Sequence, residues 1–187
     1  MRQGTWETVL DGYAWAVGNI TASNRAAVSV ISMSLGGGRL EAFNTAVDAA
    51  YKAGILSVVA AGNDGWDAKE YSPASAKDAL TVGAIDNTNT MAWFSNWGRV
   101  VDIFAPGVDV ESTWIGDSNK ESYAISGTSM ATPHVAGLVL YLKGQDPVGL
   151  RNPGTVSRKV KSLATENVIN DIAKNTKNLL AYNGVPN

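Results

Sequence analysis

The sequence predicts an α/β fold, a mostly parallel sheet flanked by helices, and three observations carry that expectation. Residues 28–35 and 55–61 form short apolar runs rich in β-branched side chains, as strands buried on both faces do. Between them Leu40, Phe43, Val47, Ala50 and Tyr51 recur at helical spacing. Strand, helix and strand in this order make a parallel crossover, for which a right-handed path is expected. A third apolar run, residues 80–85, extends the same sheet.

The chain has 187 residues, no internal repeat and no low-complexity tract, so one domain covering residues 1–187 is expected. A chain of that length buries roughly 70% of its unfolded surface and folds without covalent staples. There is no cysteine, which excludes disulfides and thiolate metal sites but leaves the compartment open. A net charge of −2 argues against a nucleic-acid partner, which calls for a basic face. No apolar run reaches the ~18 residues that cross a bilayer, so no membrane partner is expected. Residues 1–6 lack the apolar core of a secretory leader and read as the start of a helix.

Taken in order, Trp6, Val9, Leu10, Tyr13 and Val17 mark a first amphipathic helix. Asn19-Ile20-Thr21 matches the glycosylation sequon, a weak signal. Gly36-Gly37-Gly38 ends the first strand, and Gly54 caps the second helix. Residues 100–104 read as a shorter strand. Residues 110–115 and 121–125 flank a polar turn and predict a hairpin. An apolar helix follows from Val135 to Leu142, and Val156, Val160 and Leu163 mark the last one.

Functional loops of such sheets lie at the carboxyl ends of the strands, here residues 34–38 and 60–65. In the second loop, the Asn63 amide could donate to an anionic intermediate, or could simply hold an Asn-Asp-Gly turn. The glycines of the first loop could cradle a phosphate, or serve tight packing alone. They lack the Lys-Ser/Thr of a nucleotide loop, so no organic cofactor is expected. Asp102 sits among Val101, Ile103 and Phe104, where a lone carboxylate is costly and calls for a partner. A salt bridge or a helix cap would each serve.

The stretch Ser126-Gly127-Thr128-Ser129 places a hydroxyl beside the free N–H groups and positive end of a following helix. That suits a nucleophile whose reaction builds an oxyanion, although an ordinary capped core helix is the plain alternative. Pro133 has no N–H for the Ser129 carbonyl and is expected to bend the helix opening.

The string Gly127-Thr128-Ser129-Met130-Ala131-Thr132-Pro133-His134-Val135-Ala136-Gly137 resembles the nucleophile segment of the subtilisin-like serine proteases. Detail elsewhere is closest to the proteinase K branch, the extracellular alkaline proteases of fungi, and the likeness runs from about Trp6 to the end. It implies a serine endopeptidase acting on protein or peptide substrates through an acyl-enzyme on Ser129. Asn63 and the Ser129 N–H would then stabilise the oxyanion. Ser34, Leu35 and Gly36 would offer backbone to an extended substrate, and Ala60, Ala61 and Gly62 would form the facing wall of a roomy apolar pocket. A structural Ca²⁺ would be held by Asp102 and the carbonyls of Lys77 and Ala79. The resemblance also implies secretion, and a monomer when the enzyme is complete.

A general base is missing from this picture. The sequence has one histidine, His134, five residues beyond Ser129 on the expected helix. At that offset its side chain points ~140° away and ~7.5 Å along the axis, out of reach. The family's aspartate and histidine motifs, and the substrate-binding strand that precedes Ser34, do not occur. The chain therefore resembles the later part of the family's catalytic domain, with the N-terminal part missing and Met1 internal. Alone it is expected to be inactive. A non-catalytic peptide-binding protein that keeps the fold is the rival reading.

Overall fold

The computed structural model describes residues 4–185, so the expected helical start at residues 1–3 and the domain end at 186–187 lie outside the described residues. Helix α1, Trp6–Ala22, begins where the Thr5 hydroxyl accepts the Thr8 N–H at 3.3 Å, an N-cap that satisfies one orphan donor. A single 3₁₀ turn, Ala26–Val28, precedes β1, Val30–Met33, so the first strand is shorter than its apolar run. Then come β2, Gly37–Gly38, helix α2, Glu41–Lys52, and β3, Leu56–Ala60. The pair β4, Tyr71–Ser72, and β5, Leu80–Ile85, follows.

The second half adds β6, Ile103–Pro106, and the hairpin of β7, Val110–Thr113, and β8, Ser122–Ile125. Helices α3, Thr128–Gln145, and α4, Pro153–Leu163, lead to β9, Thr165–Glu166, and β10, Leu179–Leu180. The main sheet has the order β1-β3-β5-β6-β10-β9. Its first five strands are parallel, and only β9 runs against its neighbour. The α/β expectation is met, with a sheet as parallel as the continuous apolar runs required.

Strand β3 shows how two layers grow from one pattern. Leu56 and Val58 face a cluster with Val135, Val139 and Leu142 of α3 and Val156 and Val160 of α4. The alternate residues, Ile55 and Val59, face Tyr13 of α1 and Phe43 and Val47 of α2. Every residue of β3 is buried, and each large aliphatic side chain so placed contributes about 1.5–3 kcal/mol. The one polar residue of this strand, Ser57, is satisfied by the Tyr13 hydroxyl at 2.8 Å.

Two elements differ from expectation. The strand expected over residues 100–104 is β6, which begins at Ile103. Val101 is buried like a strand residue, yet its N–H closes a turn onto the Gly98 carbonyl at 3.1 Å. The glycines after β1 do more than break the chain, since Gly37 and Gly38 pair antiparallel with Ser72 and Tyr71. Among the described residues, no helix is long and apolar enough to cross a membrane.

Candidate active site

The chain enters α3 through Gly127, whose N–H donates to the Gly107 carbonyl at 2.7 Å. Thr128 and Ser129 are the first two residues of the helix, so their N–H groups have no acceptor within it. The Thr128 N–H is taken by the Asn63 side-chain oxygen at 2.8 Å, and the Thr128 hydroxyl donates to the same oxygen at 2.8 Å. The Ser129 N–H is left for another partner.

Those two bonds fix the Asn63 amide. With its oxygen turned to Thr128, its NH₂ points the other way and has no hydrogen bond among the described residues. A side-chain carbon at Gly127 would stand 3.6 Å from Asn63 Nδ2 and 3.6 Å from the Ser129 nitrogen. Two donors thus converge on one spot, and glycine leaves it open. Such a pair, set at the positive end of a helix, favours a negative oxygen.

The loop carrying Asn63 is held from behind by Asn96, which is fully buried. Asn96 Oδ1 accepts the Asp64 and Trp66 N–H groups at 3.0 Å each, and its Nδ2 donates to the Ala61 carbonyl at 2.9 Å. The loop passes so close that a side chain at Gly62 would collide with the Asn96 amide, and Gly62 has φ +107°, a value that also favours glycine. Sequence reading did not single out Asn96 or Thr128. The polar run Ser95-Asn96 between aromatic neighbours was the available signal for the first.

Ser129 is partly exposed and forms a reciprocal contact with Ser34 at the end of β1. The Ser34 hydroxyl donates to the Ser129 carbonyl at 2.7 Å, and the Ser129 hydroxyl donates to the Ser34 carbonyl at 3.4 Å. Pro133 explains the first bond. Four residues on, it has no N–H to give that carbonyl, and Ser34 supplies the donor instead. The helix continues past Pro133 to Gln145.

The structure brings Ser129, Asn63, Ser34 and Gly62 together: Thr128 bonds Asn63 and the Gly62 N–H, and the adjacent Ser129 bonds Ser34. Leu35 and Gly36 continue outward from Ser34 and are exposed, whereas Ala60 and Ala61 are buried at the end of β3. An open cleft of about 940 Å³ is lined instead by Gly65, Trp93, Phe94, Val108 and Ser126 among others, and by none of the six residues expected to bind substrate. His134 is exposed, and its Nδ1 lies 2.8 Å from the Met130 carbonyl of its own helix. It makes no contact with the Ser129 hydroxyl.

Asp102, Lys77 and Ala79 lie elsewhere. Asp102 Oδ2 accepts the Thr81 N–H at 3.2 Å, and Oδ1 receives Lys177 Nζ at 2.8 Å and Lys161 Nζ at 3.5 Å. Calcium takes about six to eight oxygen ligands, and a carboxylate with an ammonium group hydrogen-bonded to it does not fit that ion. Among the described residues, no three Asp, Glu or His side chains gather as a metal cluster.

Residues 2–186 match the subtilase family. The subtilisin-like proteinase Mp1 of Magnaporthiopsis poae is 60% identical over 185 residues, which are 98% of this chain and 45% of that protein. Alkaline protease 1 of Aspergillus clavatus is 53% identical, covering 98% of this chain and 44% of its own length. A crystal structure of a cold-adapted subtilisin-like serine proteinase superposes with a TM-score of 0.87 at 37% identity, over 97% of this chain and 62% of that one. The chain therefore spans less than half the length of these two curated relatives.

Proposed function

Because the chain belongs to the subtilase family, we propose that it supplies the nucleophile and oxyanion side of a serine endopeptidase. The observation that carries this reading is the convergence of Asn63 Nδ2 and the Ser129 N–H on the space left open by Gly127. In the proposed reaction, the Ser129 hydroxyl attacks the scissile carbonyl of a peptide, and the negative charge grows on the carbonyl oxygen. The two donors receive that charge, then release it as the C–N bond breaks, the amine leaves with the proton that a base took from Ser129, and the acyl-enzyme forms. Ser34, Leu35 and Gly36 would line one side of the extended substrate, with Ala60, Ala61 and Gly62 opposite.

The proton of Ser129 needs a base within hydrogen-bond reach, and His134, turned back onto the Met130 carbonyl of its own helix, has no contact with the Ser129 hydroxyl. A base and its orienting carboxylate must then come from outside these 187 residues. Chain 1–187 by itself is accordingly proposed to be inactive. An extracellular setting, implied by the resemblance, belongs to the same proposal.

The missing base also favours a second reading, a peptide-binding protein that keeps the fold without the chemistry. Labelling by a serine-directed fluorophosphonate separates the two, because it requires an activated hydroxyl. Chain 1–187 joined to the matching N-terminal segment of the Magnaporthiopsis proteinase should be labelled, and its Ser129→Ala variant should not. Absence of labelling in the joined, folded protein would leave only the binding reading.

A further inference from the structure

A carboxylate among apolar neighbours has to be neutralised, and the Asp102 side chain keeps only 12% of its surface exposed. Its backbone is fixed, since the Asp102 N–H donates to the Thr81 carbonyl at 2.9 Å while Oδ2 accepts the Thr81 N–H. Oδ1 is thereby aimed away from β5, toward α4 and the C-terminal tail. Lys161 reaches it from the last turn of α4, where an ammonium group also suits the negative end of the helix. Lys177 reaches it from the tail, at the shorter distance of 2.8 Å.

The tail is held on both sides of Lys177 by bonds that do not involve its ammonium group. On one side, the Thr176 hydroxyl accepts the Gly98 N–H at 2.9 Å. On the other, Asn178 exchanges two bonds with Ile169, at 3.0 and 2.9 Å. The next residues, Leu179–Leu180, form β10 and pair with β6 and β9. Only the lysine stem remains to be ordered, so the entropic cost of the pair is small. One carboxylate thus ties residues 21, 59 and 75 positions away in the sequence.

Two cations facing one carboxylate also leave the cradle locally positive. A divalent ion entering it would have to displace Lys177 and then sit beside Lys161. We propose that Lys177, backed by Lys161, is a built-in cation that fills the Asp102 cradle and makes the fold independent of calcium. The ammonium does from within the chain what a bound metal would otherwise do, tying the tail and α4 to the sheet.

Thermal melting in millimolar CaCl₂ and in EGTA tests this directly. The wild-type chain should melt at the same temperature in both. Lys177→Met, which keeps most of the stem and removes the charge, should melt on the order of 3–6 °C lower in both. A wild-type Tm that rises in calcium, with the rise lost in Asp102→Asn, would overturn the proposal, as would a Lys177→Met variant that melts with the wild type. Should Lys177→Met not fold, calorimetric titration of the wild type with CaCl₂ decides. No heat that depends on Asp102 is expected, and calcium binding abolished by Asp102→Asn would overturn it.

Discussion

Asn63 and Asp102 are both polar residues beside an apolar sheet, and the structure treats them in opposite ways. Asn63 has its oxygen saturated by Thr128 while its NH₂ is left aimed at open space. Asp102 has both oxygens filled, one by a backbone N–H and one by two lysines. A donor held rigidly and left empty at the surface is poised for a ligand or a transient charge. A carboxylate that is buried and fully partnered is part of the fold, and removing a partner exposes a desolvation cost. Residue type does not separate the two. The bookkeeping of partners does.

The largest effect should come from filling or deleting the empty donor. In the protein joined to an N-terminal segment that carries the base, Asn63→Ala should lower kcat by about 10²–10³-fold, the size found for such a donor in subtilisin. KM should change little, because the charge it meets exists mainly in the transition state. A change confined to KM would move Asn63 into substrate binding and undo the contrast with Asp102.

A smaller effect is expected at Lys143, which sharpens the comparison from the saturated side. It is buried on α3, and its ammonium donates to the Ala27 and Arg151 carbonyls at 2.9 and 3.3 Å. Burial pushes its pKa below the ordinary lysine value. The folded state then loses the proton at lower pH than the unfolded state does. Between the lowered pKa and the ordinary value near 10.5, the unfolded chain binds more protons, so stability rises with pH across that window. Lys143→Met should remove this alkaline rise and leave the neutral-pH Tm unchanged or slightly higher. Chemical denaturation at several alkaline pH values checks it, and an unaltered pH slope would show that the burial cost lies elsewhere.

The parts legible in the sequence are those where neighbours along the chain share one environment. Leu80–Ile85 is read with its bounds intact because all six residues are buried between two layers. Ser129 and Asn63 are legible because a long motif carries the first and a strand-end glycine loop frames the second. Val100 and Val101 mislead, since a buried turn and a buried strand have the same apolar composition. The Gly37–Gly38 pairing has no side-chain pattern to read. Lys177 is beyond local reading, because its partner lies 75 residues away and the bonds of the tail to Gly98, Ile169 and β6 bring them together. Asn96 escaped for a related reason. Its side chain and N–H make four bonds to a loop about thirty residues upstream.

The central claim is that Ser129 and Asn63 form a half-site whose base lies outside these residues. Hydrolysis of a fluorogenic peptide with a large apolar residue before the cleaved bond tests it most directly. The assay compares chain 1–187 alone, the same chain joined to the N-terminal segment of the Magnaporthiopsis proteinase, and the joined Ser129→Ala variant. Ser129-dependent turnover should appear only in the joined protein, since loss of the histidine alone costs on the order of 2 × 10⁶ in kcat in subtilisin. Ser129-dependent turnover by chain 1–187 alone, within about a hundredfold of the joined protein, would contradict the account by showing that a base is already present.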